Sequence, residues 1–484
     1  MRPEERRISR RAFLRGAAVG GAGVFGAAVL PRWVLSRDPD RPPSLYEFYV
    51  DSVWMQSAGL FEEPVRPPLR GPQKADIAIV GGGFTGLATA YHLARRLPAK
   101  RIVLLEGARC GYGASGRNGG FADPGQSGLG FVWEHGGPEA ARAYYDATLL
   151  GLAQIRAFAR EHSVDCELEE NGSLQLATEE SQLAGLAEEK RRCDEIGLPA
   201  TLLDAAELRR TIRSDRFVGA LRLPDHAILN PAKLALGMRR TVESLGVVVS
   251  ERSKVVRFEP GPSARITTEL AEVEAPQLVL ALNGYAPQLG VLRDRVLPLC
   301  NYVVATEPLS PAQWESIGWK GREGLSDARV QFMYLRPTAD GRIVFGGESS
   351  PYFYGGAPSS GNYRPSLEKL KKSLLATFPQ LEGVGFAHEW GGTMAFTRDF
   401  TPSVGRLDGA SNVFYAVCCN GEGVVMTQLG GMILARLVAG DADELTKLPI
   451  VDRPLPYLGP EPLRSIAVRL TEWALESFAS NPLR

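Results

Sequence analysis

The chain is poor in the two residues that most often hold metals or staple small folds: six cysteines and five histidines occur in 484 residues. The cysteines, Cys110, Cys166, Cys193, Cys300, Cys418 and Cys419, form no CxxC pair and keep no regular spacing, so neither a disulfide framework nor a zinc module is indicated. The histidines, His92, His135, His162, His226 and His388, place no two rings at ligand spacing on one helix, and no metal is expected. An excess of charge of one sign is also missing. Lys+Arg and Asp+Glu both total 55, which leaves no basic surplus for a nucleic-acid surface. Runs such as Lys190-Arg191-Arg192 sit in helix-like stretches and read as solvated faces. No internal repeat and no long low-complexity tract occurs.

What is present is an ordinary globular composition, 44% hydrophobic and 23% charged, in a chain too long for one compact core. Two domains of unequal size are the expectation. Ser9-Arg10-Arg11-Ala12-Phe13-Leu14-Arg15 resembles the twin-arginine export motif, against the alternative of an accidental basic start. The weakly apolar run that follows, from Gly16 to Leu30, is rich in Gly and Ala and short of the roughly 20 residues of a membrane span. Gly26-Ala27-Ala28 offers small residues to a peptidase, and an uncleaved tether is the alternative outcome. From Pro31 to about Gln73 the sequence is Pro-rich and irregular, an extended arm with aromatic anchors at Tyr46, Phe48, Tyr49 and Trp54.

Asp76-Ile77-Ala78-Ile79-Val80 has the β-branched, apolar character of a buried parallel strand. It runs into Gly81-Gly82-Gly83-Phe84-Thr85-Gly86, a helix is expected from Leu87 to Leu97, and Pro98 stops it. A second strand follows over Arg101-Ile102-Val103-Leu104-Leu105 and ends at Glu106. Gly81 permits the tight turn, Gly83 brings backbone against a pyrophosphate, and Gly86 lets the helix pack close to the sheet. Phe84 and Thr85 complete the loop at a helix start whose free N–H groups favour phosphate. Glu106, twenty residues after Gly86, is placed to accept from a ribose diol, which argues against a 2′-phosphate and NADP. The glycines alone would be weak; strand, glycines, helix, second strand and acid in order form the specific context.

A second glycine segment follows the acid at once: Gly111-Tyr112-Gly113-Ala114-Ser115-Gly116-Arg117-Asn118-Gly119-Gly120. Here the chain resembles the D-amino-acid oxidase superfamily of flavoproteins, and within it the gamma-glutamylputrescine oxidase group. The likeness continues through Asp225-His226-Ala227-Ile228-Leu229-Asn230-Pro231 and Ser253-Lys254-Val255, the latter matching the strand whose valine backbone meets adenine. It extends to Leu278-Val279-Leu280-Ala281-Leu282-Asn283-Gly284-Tyr285, Ala305-Thr306-Glu307-Pro308-Leu309 and Asp340-Gly341-Arg342-Ile343-Val344-Phe345-Gly346-Gly347. Trp390-Gly391-Gly392 through Pro402-Ser403-Val404-Gly405, and Asn420-Gly421-Glu422-Gly423-Val424, complete it. The resemblance implies an α/β fold, α+β overall, in which a discontinuous Rossmann-like FAD-binding domain carries an antiparallel-sheet substrate domain. The expected division is 1–30 signal, 31–73 arm, 74–160 with 226–290 and 396–445 for FAD, 161–225 with 291–395 for substrate, and a 446–484 tail. Local patterns agree: Leu174-Gln175-Leu176-Ala177 and Ile343-Val344-Phe345 read as strands, and Ser366 to Thr377 as a helix. An amphipathic helix around Leu463–Leu475 is expected to pack on the body, with membrane contact as the alternative.

The implied reaction removes a hydride equivalent from the carbon beside a neutral amine, and the imine hydrolyses to an aldehyde or keto product. The flavin carries that chemistry, so the protein positions the substrate and tunes the ring. The residues implied to hold FAD are Gly81, Gly83, Phe84, Thr85, Gly86 and Glu106; Gly113, Ala114, Ser115, Arg117, Asn118, Gly119 and Gly120; Val255, Asn283 and Gly284; and Gly421, Gly423 and Val424. The last three open a helix whose dipole would stabilise an anionic reduced flavin. Arg117 reads equally as a ring neighbour or a structural ion pair. Tyr334 and Arg336 are the substrate-positioning candidates. Arg336 suits either a substrate carboxylate, held as a bidentate pair, or loop carbonyls. Trp390 and Phe396 read as pocket wall or as core.

Two departures from relatives bear on the cofactor and the acceptor. No cysteine occurs over 393–396 and no histidine over 111–121, the attachment sites in covalent relatives, so noncovalent FAD is expected. The oxygen-activating lysine of sarcosine oxidase is replaced near Val344, which leaves oxygen, a quinone or a carrier protein open as acceptor. Cys418-Cys419 reads as a pair of ordinary buried thiols. The other readings are an amino-acid or sarcosine-type enzyme and a flavin-binding protein without turnover. The expected partners are a small amine, the acceptor and the twin-arginine export machinery, with a membrane only if the signal is retained. The expected location is extracytoplasmic, such as the periplasm.

Overall fold

The computed structural model of the chain describes residues 51–125, 127–329, 331–357 and 362–478, with side chains to 474. The twin-arginine segment, the run to Leu30 and the anchors Tyr46, Phe48 and Tyr49 lie outside the described residues.

Ile77–Val80, wholly buried, is the centre of a six-stranded sheet. On one side lie Ile102–Leu105 and Val248–Ser250, on the other Gln277–Leu280 and Ala410–Val417, all parallel; Ser403–Leu407 adds an antiparallel edge. Burial on both faces explains the unbroken apolar runs. The first helix spans Phe84–Arg96, three residues earlier than the periodicity indicates, because Gly83 caps it and Phe84 turns inward. It ends where Leu97 leaves helical geometry, as a residue before proline tends to. The closing helix, Gly423–Ala439, crosses it closely: a Cβ on Gly431 would stand 2.5 Å from that of Ala88. Both belong to one apolar core with Leu129–Glu161, a helix kinked at Gly137 before Pro138, and with Pro231–Ser244.

The eight-stranded sheet runs in the order Phe386–Phe396, Leu297–Thr306, Ile343–Gly347, Met333–Pro337, Gly324–Asp327, Ser173–Ala177, Gly219–Leu223, Thr201–Asp204. Its pairs are antiparallel except Gly324–Asp327 with Ser173–Ala177, which are parallel. Period-two alternation divides its residues. Leu174, Leu176, Cys300, Tyr302, Leu335 and Phe345 pack beneath the Arg364–Thr377 helix, through Leu367, Leu370 and Leu374. The opposite face carries Asn301, Val303, Tyr334, Arg336 and Gly346, and looks toward the six-stranded sheet. A ribbon of Phe121–Ala122 with Ala227–Ile228 joins the two layers.

Three details differ from the sequence reading. The arm is not uniformly extended: Val53–Ser57 is helical, capped by Ser52, and Gly71–Lys74 pairs in parallel with Ala271–Ala275 in a separate four-stranded sheet. Val255 opens the Val255–Glu259 strand, whereas Ser253 and Lys254 precede it. Glu307, Pro308 and Leu309 lie beyond the strand that ends at Thr306. The tail helix spans Leu463–Phe478, with Arg464 Nη1 donating to Arg293 O at 2.8 Å. Among the described residues, no helix is long and apolar enough to cross a membrane.

Candidate functional site

Gly81, Glu106, Ala281 and Cys418 each follow the C-terminal end of a parallel strand, so four chain segments gather at one edge of the six-stranded sheet. Strand order reverses at Ile77–Val80, which makes this edge the topological switch point, where an open α/β sheet leaves a crevice. Gly81 has φ +111, and a Cβ there would stand 2.4 Å from Ala281 O. At Gly86 a Cβ would stand 1.8 Å from Gly81 O. Closure of the turn itself therefore demands Gly86, more directly than the helix–sheet packing expected of it. A Cβ on Gly83 would meet only Ser115 Oγ, at 3.0 Å. That hydroxyl accepts from Phe84 N–H at 2.8 Å and fastens the second glycine segment to the helix start. The side chains of Phe84 and Thr85 are buried in this turn.

The Glu106 carboxylate lies beside this turn. Oε2 accepts from Gly82 N–H at 2.7 Å and Oε1 from Ala108 N–H at 2.8 Å. Burial raises its pKa; the Ala108 and Gly82 N–H groups work in the opposite direction. Ser253 N–H donates to Glu106 O at 2.8 Å, which brings the segment leading to Val255 alongside the acid. Glu251, also buried, accepts from Cys110 N–H at 2.8 Å and Arg66 N–H at 2.9 Å and so holds the entry to the second glycine segment. It was missed because a single acid after a short strand carries no motif.

Gly113 leads into a tight turn over Ala114–Gly116. Asn118 closes that turn on itself, Nδ2 donating to Ala114 O at 3.0 Å and Oδ1 accepting from Gly120 N–H at 2.8 Å. Its amide therefore staples the loop. Arg117 donates to Tyr112 O at 2.9 Å and Gly391 O at 3.2 Å, and its guanidinium lies 4.5 Å from the Tyr112 ring. It ties the glycine segment to the substrate sheet. Asn283 Oδ1 accepts from Cys418 N–H at 3.3 Å, and Gly284 sits against Thr393. Asn420 Oδ1 accepts from Thr397 N–H at 3.0 Å and fixes the closing loop, where Gly421 has φ +95. The helix then opens at Gly423 without a side-chain cap, and Val424 is buried.

Glu106, Tyr285, Tyr334 and Cys419 are set deep enough for burial to raise the pKa of each, yet each keeps partial exposure. That combination marks an internal cleft rather than an outer surface. It starts at an acid suited to a ribose and passes Gly113, whose Cβ would stand 3.8 Å from Tyr285. It ends under Tyr334, on the substrate sheet. The donor set and the glycine-lined wall fit an extended dinucleotide such as FAD.

Above the far end, the Tyr334 ring lies against Gly119 and Gly346, where added Cβ atoms would stand 2.7 and 2.3 Å away. Its hydroxyl donates to Asn301 Oδ1 at 2.8 Å, and Phe121 meets it edge-on at 5.6 Å. Arg336, the other candidate, takes the loop-carbonyl alternative. Its guanidinium is fully buried; Nη1 donates to Leu229 O and Gly120 O, Nε to Pro337 O, and the group stacks 4.7 Å from the Trp54 ring. Loop carbonyls are the partners of Nε and Nη1, while Nη2 is buried without a hydrogen-bond partner among the described residues. Trp390 is likewise core: fully buried beside Trp54, Val303 and Val344, it donates to Arg117 O at 2.8 Å. Phe396 is half-buried against Phe400. Burial raises the thiol pKa values of Cys418 and Cys419, the latter to about 12, so neither is a thiolate at neutral pH. Asn301, the lone polar residue facing Tyr334 from the run Leu297–Thr306, was legible only as an interruption of that run.

Comparison with known proteins gives a consistent picture. A family model described as FAD dependent oxidoreductase matches residues 76–437. Gamma-glutamylputrescine oxidoreductase of Escherichia coli is 33% identical over 375 residues, 76% of this chain and 84% of that protein. Probable oxidoreductase OrdL of Haemophilus influenzae is 31% identical over 411 residues, 83% of this chain and 91% of that protein. Among solved structures, glycine oxidase from Geobacillus kaustophilus superposes with a TM-score of 0.66 at 21% identity, covering 79% of this chain and all of that one.

Proposed function

The chain belongs to the FAD-dependent oxidoreductase family, and from that premise we propose that it oxidises the carbon–nitrogen bond of a small amine. The observation that carries this reading is the fate of Arg336. A carboxylate bound over the cleft would call for an accessible cation, and this guanidinium is fully buried, with Nε and Nη1 on backbone carbonyls, its face on Trp54, and only Nη2 without a hydrogen-bond partner among the described residues. The side chains around Tyr334, namely Asn301 and Phe121, are neutral. The relative at 33% identity, named for a putrescine derivative, points the same way.

Bound FAD supplies the two-electron acceptor. The glycine turn, Glu106, the Gly113–Gly120 segment and the Gly421–Val424 helix start would hold it without a covalent link. Phe121 and Tyr334 present flat apolar surface to the substrate, while the Tyr334 hydroxyl, donating to Asn301, keeps its ring fixed. The neutral amine gives up a hydride equivalent from the carbon bearing nitrogen, and the resulting iminium takes up water to release ammonium and an aldehyde. Oxygen is the proposed acceptor, with a quinone or carrier protein as the alternative. The proposed division into an FAD domain and a substrate domain is supported by the placement of the six-stranded and eight-stranded sheets. Export in the folded state is proposed from Ser9–Arg15, because a route for folded proteins suits a chain loaded with its cofactor beforehand.

The test is anaerobic bleaching of the ~450 nm flavin band of the holoprotein by parallel panels of amines and amino acids, since the cofactor itself reports hydride transfer. Bleaching by amines alone supports the proposal. Bleaching by amino acids alone would replace it with an amino-acid oxidase reading, and a silent flavin would favour a binding protein. Recovery in air separates an oxidase from a dehydrogenase.

A further inference from the structure

The tail helix Leu463–Phe478 turns its polar side to the body. Among its described side chains only Arg464 and Ser465 are buried. Arg464 Nη1 donates to Arg293 O at 2.8 Å and Nε to Glu461 Oε1 at 3.2 Å, while Ser465 Oγ donates to Glu461 Oε2 at 2.6 Å. The Tyr352 hydroxyl donates to the same carboxylate, and its ring lies 5.8 Å from the Arg464 guanidinium. Glu461 thus pins the first turn through polar bonds. The opposite side is apolar. At 3.6 residues per turn, Leu463, Ile466, Ala467, Leu470, Trp473 and Ala474 fall within about 120° of arc. Of these, Leu463, Leu470 and Trp473 are 55%, 42% and 48% exposed. A helix on a protein surface ordinarily buries such a stripe and shows its polar side to water; this one is inverted.

Aromatic and cationic residues rim the stripe. Gly355 N–H donates to Glu461 Oε1 at 3.3 Å, which sets the exposed Tyr354 beside the helix start. Tyr457, also exposed, lies 5.4 Å from the Arg295 guanidinium, and Leu458 N–H donates to Asp294 O at 2.8 Å. Arg293 and Arg295 are exposed and Asp294 between them is half-buried, so the rim is cationic. Tyrosine and tryptophan favour the boundary between hydrocarbon and water, and arginine favours phosphate. Size argues against a second copy of the chain as the cover. A stable pair of chains takes about 800 Å² from each partner in a fitted shape, whereas three large, half-exposed side chains on one helix offer roughly 300 Å². A lipid leaflet needs no fitted shape and accepts an amphipathic helix lying in its plane. Among the described residues no helix is long and apolar enough to cross a membrane, so this one would lie on the bilayer.

We infer that the outer face of the tail helix is a contact for an anionic lipid surface. Leu463, Leu470 and Trp473 enter the boundary between headgroups and acyl chains, Tyr354 and Tyr457 lie at its level, and Arg293 and Arg295 meet lipid phosphates. The contact is reversible, because one short stripe without a second anchor holds a bilayer only marginally. It uses none of the residues that border the flavin cleft, so it holds whatever the substrate is.

The experiment mixes the FAD-loaded full chain with vesicles of phosphatidylcholine and phosphatidylglycerol and reads co-sedimentation by flavin absorbance. Saturable binding is expected, roughly fivefold stronger than to phosphatidylcholine alone. Leu470→Glu should weaken it roughly tenfold while the flavin content stays that of the wild type. Brominated lipid gives a second reading: it should quench tryptophan emission of the wild type, and Trp473→Phe, which keeps a ring in the stripe, should bind yet lose that quenching. No binding by the wild type overturns the contact, as does equal binding to the two kinds of vesicle. Binding that a folded Leu470→Glu protein retains in full overturns it too, and assigns the lipid to the apolar run at 16–30. A dimer that forms without lipid and is dissolved by Leu470→Glu, seen by sedimentation velocity, gives the stripe to a second copy instead. Quenching undiminished in Trp473→Phe overturns the contact as well, and this arm stands if Leu470→Glu fails to fold.

Discussion

Glu106 shows how much a single side chain does at this site. Its two oxygens accept from Gly82 and Ala108 N–H, so the same carboxylate that shapes the glycine turn stands ready for the ribose. Glu106→Gln must set an amide nitrogen against one of those N–H donors, and Glu106→Ala removes both acceptors. Loss of a charge-assisted bond costs about 1.5–3 kcal/mol, so FAD titration of the apoprotein should show roughly tenfold to hundredfold weaker binding. The pH dependence follows from the sign of the shift. Burial raises the Glu106 pKa above the ordinary 4.5, and ribose hydroxyls bind the ionised form better. FAD affinity should therefore fall as pH drops through that raised value, and Glu106→Gln should flatten the step; an unaltered pH profile in the variant would assign the step elsewhere. This residue was legible because its position after the second strand has a fixed chemical purpose. Arg336 was legible only as two alternatives, because a strand position says nothing about whether a guanidinium reaches a ligand or carbonyls such as Leu229 O and Gly120 O.

At the scale of elements, the arm helix Val53–Ser57 lies outside the matched family region yet braces the flavin segment from behind. Ser52 Oγ donates to Gly116 O, Trp54 Nε1 donates to Asn118 O at 2.9 Å, and Asn230 Nδ2 donates to Ser57 Oγ at 2.9 Å. Trp54→Phe keeps a ring over Arg336 but deletes the donor, at a cost of about 1 kcal/mol. Trp54→Ala also opens a hole among Met55, Val303, Val344 and Trp390, at about 3–5 kcal/mol. Urea unfolding should rank the three proteins in that order, and FAD should dissociate several-fold faster from Trp54→Phe than from the wild type. Identical FAD off-rates would reduce the arm to a stability device. Periodicity and turn residues made the first Rossmann unit readable, with boundaries shifted by a few residues. They gave no sign of the parallel pairing of Gly324–Asp327 with Ser173–Ala177, or of Gly71–Lys74 with Ala271–Ala275. Those partners are far apart in sequence, and register between distant strands is set by the packed layers rather than by local composition.

For the whole molecule, the cleft is bounded by segments from almost the full described length: Gly81–Gly86, Glu106–Gly120, Ser253–Val255, Asn283–Tyr285, Tyr334, Gly391–Phe396 and Cys418–Val424. Both large sheets contribute to it, and direct ties between them, such as Arg117 to Gly391 O and Trp390 to Arg117 O, cluster at its edge. A cofactor lying there links the layers by mass action, stabilising the folded state by about 2.7 kcal/mol when free FAD is a hundredfold above its dissociation constant. Stripping FAD should thus lower the melting temperature, and restoring it should raise that temperature with the logarithm of FAD concentration. Hydrogen exchange discriminates the linking role from simple occupancy. If FAD joins the layers, its removal raises exchange in Ile77–Val80 and Gln277–Leu280 on one side and in Met333–Pro337 and Phe386–Phe396 on the other. Exchange confined to the six-stranded sheet would mean that the substrate layer is held by its own core beneath the Arg364–Thr377 helix, with the cofactor contributing to one layer alone.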